Sequence, residues 1–177
     1  MKIILKSKLL AWFLTISIFS FTQEPIIPSS PYGTKEEYVN KVLENGDISA
    51  YQDLFFILQK GGHENEYLIY SLFMANKYNY PDAFFWVYYH MIKLFDNKDI
   101  EIDEISLKTA LEYLNKGVEL GSKNAEIRMS ELSLEGRLIP QDTIRGIQLH
   151  MKGWNVTDSV AIERNLKYIR KKYLNKI

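Results

Sequence analysis

Residues Leu107–Asp142, LKTALEYLNKGVELGSKNAEIRMSELSLEGRLIPQD, read as one helix–turn–helix unit. Leu107, Leu111, Leu114 and Val118 recur at steps of four, three and four, which sets apolar side chains along one side of a helix. Gly121 ends that stripe, and Ala125, Met129 and Leu132 carry a second one to Gly136. Pro140–Gln141–Asp142 then closes the unit. Two short amphipathic helices leave an apolar face uncovered, so the unit implies stacked neighbours.

The flanking chain supplies those neighbours. Thr34 and Glu37 have capping-box spacing and open a short helix that stops at Asn45–Gly46. Asp47 is placed to cap the next, with Ile48, Tyr51, Phe55 and Leu58 at helical spacing before Gly61–Gly62. A third helix from about 64 to 77 carries Leu68, Leu72 and Ala75, and Pro81 suits the first turn of a fourth. Beyond the quoted unit, Ile144, Ile147, Met151 and Trp154 mark one helix, and Ile162, Leu166, Ile169 and Tyr173 the last. No stretch alternates with period two. The reading is all-α: a right-handed α/α solenoid of helix-turn-helix repeats, about eight helices and no sheet.

An internal frame supports repetition. Gly62 and Gly121 lie 59 residues apart, as do Asn65 and Asn124, Ser71 and Ser130, and Pro81 and Pro140. The matches fall on a turn glycine and an exit proline, where backbone geometry dictates residue type.

The chain has 177 residues, 46% hydrophobic and 14% aromatic, enough for one helical domain with a real core. Its 22 cationic and 22 acidic side chains balance, so the net charge gives no electrostatic reason to expect nucleic acid or an anionic membrane as partner. Lys2, Lys6 and Lys8 precede an uncharged apolar run, Leu9 to Phe21. As a helix this run spans roughly 20 Å, short of the ~30 Å hydrocarbon core. Ser20 and Thr22 stand at −3 and −1 of a cleavage site, so residues 1–22 read as a secretory signal peptide. Export, to a bacterial periplasm, is expected, with no stable membrane insertion after cleavage; a retained N-terminal anchor is the alternative. Residues 23–33, holding EPIIPSSPYG, form a Pro/Ser-rich linker, and 34–177 form the repeat domain. There is no cysteine, so no disulfide staples the exported domain and it relies on packing.

Here a family resemblance enters. ALEYLNKG (110–117) followed by Leu120–Gly121 resembles the first helix of a Sel1-like repeat. Asn124–Ala125–Glu126, Leu132, Gly136, Ile139–Pro140 and Asp142 resemble its second helix and exit loop. Arg145 to Leu149 resembles the start of a further copy, and residues 62–80 a divergent earlier one. Gly117 and Gly146 stand where such repeats commonly carry alanine, and Tyr and Phe replace small residues in the earlier copy. Tetratricopeptide arrays are the architectural alternative. The resemblance implies an adaptor or scaffold with a concave face for a protein partner.

The sequence offers no catalytic or metal motif, and no cofactor is expected. His63, His90 and His150 are far apart, and neither HExxH nor a phosphate loop occurs. The acids of 96–104 (DNKDIEIDE) lack the offsets, turn glycine and closing Glu of a calcium loop, so a solvated connection is expected. Asn155–Val156–Thr157 matches a glycosylation sequon, but Thr157 is read as a helix cap.

Tyr67 to Tyr89 holds ten aromatic residues. Those at 84, 85, 86, 88 and 89 wrap most of a helix, so the helix is either sandwiched on two sides or shows some rings to a partner. Tyr78, Tyr80, Trp86 and Tyr89 are the candidate partner-binding residues. The C-terminal cations, Arg164 to Lys176, suit a helix C-terminus, with an acidic protein as the functional alternative. Three functions fit: an exported interaction adaptor; a periplasmic immunity-type inhibitor that neutralises a toxin or effector; and, lacking any recognisable site, an envelope enzyme or small-ligand binder.

Overall fold

Short polar side chains set where most of the helices begin. Asp47, Asp103, Asp142 and Asp158 each accept a hydrogen bond from a backbone N–H three residues on, at 2.8–2.9 Å. Ser122 does the same for Ala125 at 3.2 Å. Each cap satisfies a donor that the first helical turn leaves unpaired, worth about 1 kcal/mol. The computed structural model describes residues 33–96 and 102–174; the N-terminal apolar run, nearly all of the linker, residues 97–101 and Lys176 lie outside them.

Eight α-helices follow one another: α1 (Lys35–Asn45), α2 (Ile48–Lys60), α3 (Tyr67–Tyr78), α4 (Pro81–Asp96), α5 (Glu104–Glu119), α6 (Lys123–Glu135), α7 (Thr143–Gly153) and α8 (Ser159–Ile169). A 3₁₀ turn (Glu64–Glu66) precedes α3, and a π turn (Arg170–Leu174) follows α8. No strand occurs among the described elements. Each helix packs on the next, α1 also touches α3, and α4 touches α6. Three overlapping cores result, one from α1 to α4, one between α4 and α6, and one joining α6, α8 and the π turn. This is the all-α solenoid expected from the periodicity, stabilised between neighbours.

Glycine governs the tightest contacts. A Cβ on Gly146 of α7 would stand 2.7 Å from Leu134 Cγ, and one on Gly153 2.7 Å from Ile127 Cγ1. One on Gly117 of α5 would meet Ala125 Cβ at 2.9 Å and Phe84 Cβ at 3.3 Å. The glycines at 117 and 146 therefore pack closer than alanine allows.

That close approach corrects the expected face of α7. Ile144 and Trp154 are 73% and 59% exposed, Gly146 and Gly153 are turned to α6, and the buried His150 reaches Asn165 of α8. In α3 the buried residues are Tyr67, Ser71, Met74 and Ala75, while Leu68 and Leu72 are only half-buried. Burying the Tyr67 ring sets that rotation: its hydroxyl donates to the Tyr51 carbonyl at 3.2 Å inside the core. In α2, Ile48 is exposed and Leu54 takes its place inside. The α8 cap is Asp158 rather than Thr157.

The 59-residue frame survives in part. Gly62 and Gly121 both have left-handed backbones (φ 74° and 82°), and Ser71 and Ser130 are both buried. The exits diverge. Pro81 opens α4, whereas Pro140 lies in the longer loop between α6 and α7.

Candidate partner-binding face

Helices α2, α4 and α6 line one side of the domain, where two grooves meet. The groove between α4 and α6, about 460 Å³, is walled by Phe85, Tyr88, Tyr89, Ile92 and Lys93 on α4. Its other wall is Asn124, Ile127, Arg128 and Glu131 of α6. A second groove, about 350 Å³, is lined by Tyr51, Gln52, Phe55 and Phe56 of α2, by Tyr67, and by Tyr80, Asp82 and Trp86. Asn124 lines both.

The face is held from beneath by ring packing. The Trp86 ring centroid lies 4.7 Å from Phe55, 5.2 Å from Phe85, 5.5 Å from Tyr89 and 5.8 Å from Tyr67. Edge and tilted ring contacts of this kind add to simple burial. Polar groups fix the rims. Arg128 donates through Nε to the Tyr88 hydroxyl at 3.2 Å and through Nη1 to Glu131 at 3.0 Å. Gln52 donates to the Tyr80 hydroxyl at 3.3 Å, and Lys93 pairs with Glu64. Burial raises the Tyr88 and Tyr80 hydroxyls above the usual phenol range.

The structure brings three of the four candidate residues together. Tyr80 and Trp86 are half-buried in the second groove, and Tyr89 is 41% exposed on the first. Tyr78 stands apart. Its ring covers Gly46, and its hydroxyl donates to the Leu43 and Glu44 carbonyls at 3.2 and 2.8 Å, tying α3 to the end of α1. Sequence reasoning missed Phe56, 57% exposed, and Arg128. The Phe55–Phe56 pair was the available signal, since adjacent helical side chains point in different directions and two large rings there are hard to bury together.

The histidines divide. His63 is exposed, 3.2 Å from Glu66. His150 is buried and shares a 3.0 Å hydrogen bond with Asn165. His90 is 1% exposed, with neither ring nitrogen hydrogen-bonded, among Tyr67, Trp86 and Tyr89. Burial, then the nearby Lys93 charge, holds it down at about 4, and so neutral. Among the described residues no cluster of three or more His, Asp or Glu is placed to hold a metal. No described helix is long and apolar enough to cross a membrane.

No family model matches the sequence, and no curated protein matches it. The backbone does find a match, in the crystal structure of a Sel1 repeat protein from Oxalobacter formigenes. The TM-score is 0.52 at 20% identity, over 80% of this chain and 56% of that one. The fold is Sel1-like. The chain spans little more than half the length of that solved repeat protein.

Proposed function

We propose that this chain is an exported protein-interaction adaptor, working in the bacterial periplasm, whose partner docks across α2, α4 and α6. The observation that carries the reading is the pair of adjoining grooves floored by Phe55, Trp86 and Phe85 and edged by Phe56 and Tyr89. Aromatic side chains give large contact area at low entropic cost, and amides such as Gln52 and Asn124 adapt to a polypeptide backbone. The N-terminal apolar run after Lys2, Lys6 and Lys8 supports export.

The test is affinity capture from an envelope extract with the chain as bait. One protein retained by the wild type and lost with Phe56→Ala/Tyr89→Ala supports the reading. Capture indifferent to both substitutions, or no capture, overturns it. The identity of the captured protein separates an adaptor from a toxin-neutralising inhibitor, because an inhibitor abolishes the toxic activity of what it binds. Cell fractionation tests the location: the chain belongs in the periplasmic fraction.

A further inference from the structure

The last twenty residues carry a charge opposite to that of the rest of the domain. Residues 158–177 hold six cations and two acids, net +4, whereas residues 23–157 hold 13 cations and 20 acids, net −7. Arg164 and Lys167 of α8 and Lys171 of the π turn are spaced three and four apart, so they succeed one another along one side. All three are exposed, and none belongs to an ion pair among the described residues. Apolar side chains border them: Val160 is 69% exposed, Trp154 59% and Tyr168 47%. Trp154 and Tyr168 flank the His150 ring at 6.3 and 6.1 Å, and Lys172 lies over the Tyr168 ring at 5.4 Å.

Cations at a helix C-terminus complement the helix dipole, and a terminal repeat needs a polar outer face. Both facts account for the lysines. Neither accounts for exposed Val160, Trp154 and Tyr168 among them.

We propose that this end of the solenoid rests on an anionic membrane surface. Cations on an exposed helix draw in anionic headgroups, and Trp and Tyr side chains settle at headgroup depth. The negative remainder of the domain is repelled by the same surface, so the charge asymmetry orients the molecule with α8 toward lipid. An acidic protein would satisfy the cations alone; a lipid surface also takes up the exposed Trp154, Tyr168 and Val160 without a shaped pocket. The contact is peripheral and independent of the partner-binding face.

The experiment is co-sedimentation of the chain beginning at Gln23, so that the N-terminal apolar run does not bind lipid itself. Every described helix lies within the compact unit 35–177 and is retained. Phosphatidylglycerol–phosphatidylcholine vesicles are compared with pure phosphatidylcholine at low and high salt. Binding is expected to the anionic vesicles only, to fall with salt, and to weaken roughly tenfold or more in Arg164→Glu/Lys167→Glu/Lys171→Glu. The same positions changed to Gln give a gentler variant, with circular dichroism confirming the fold. Trp154→Ala should weaken binding without changing charge. No binding, or equal binding to neutral vesicles, overturns the proposal. So does retention on immobilised polyglutamate without vesicle binding, which assigns the surface to an acidic polypeptide.

Discussion

The Lys152 ammonium lies 2.6 Å from the Glu126 carboxylate, and Glu126 is wholly buried in the contact between α6 and α7. Lys123 donates to the other carboxylate oxygen at 3.1 Å and to the Lys152 carbonyl at 3.0 Å. Two lysines from successive helices thus share one buried acid. The lysines remain partly in water, so each can be removed singly without burying a new cation.

Lys152→Met should lower stability by about 1–3 kcal/mol, because it leaves a buried carboxylate with half its compensation. Adding Glu126→Leu should recover part of that loss. Urea denaturation of the two singles and the double measures the coupling. A strictly additive double would mean that Lys152 does not stabilise the buried charge.

Gly146→Ala opposes two effects. Helix propensity favours alanine by about 1 kcal/mol. Against it, the new methyl would stand 2.7 Å from Leu134 Cγ and 3.3 Å from the Leu134 backbone nitrogen. Overpacking a helix contact costs about 1–3 kcal/mol, and the backbone atom has the least room to yield. A lower melting temperature is expected; an increase would show that α6 and α7 separate easily.

His90 makes stability pH-dependent with a definite sign. Its folded value is held at about 4, below the ordinary 6.5. The unfolded chain therefore binds more protons between those values, and the contribution present above about pH 6.5 is lost as pH falls toward 4. The full loss is up to about 3 kcal/mol from this residue. Lys93 and Glu64 are the charged groups acting on the ring. Urea midpoints should fall between pH 7 and pH 4.5, and His90→Leu should flatten that slope.

Trp86 and Tyr89 should separate packing from recognition. Trp86→Ala removes the ring that joins Phe55, Tyr67 and Phe85, and should cost about 2–4 kcal/mol. Tyr89 is 41% exposed, and Tyr89→Ala should change stability by less than about 1 kcal/mol while weakening partner capture. A large stability loss at Tyr89 would make it a packing residue.

Helix number, most helix ends and the all-α class were legible in the chain because their causes are local. Asp47 caps by reaching three residues ahead, and Gly121 turns because its own backbone is left-handed. Which face of each helix is buried was harder to read. Ile144 and Trp154 fit the α7 stripe as well as any core residue, and only the approach of α6 to Gly146 and Gly153 turned them outward.

The sequence alone therefore determined the succession of short amphipathic helices, since period, cap and turn residue act within a few positions. Tertiary packing decided that Phe55, Trp86 and Asn124 border one shared face while Tyr78 locks α1 to α3. Those residues come from different helices, and the distances between them are set by how closely glycine and alanine let the helices stack.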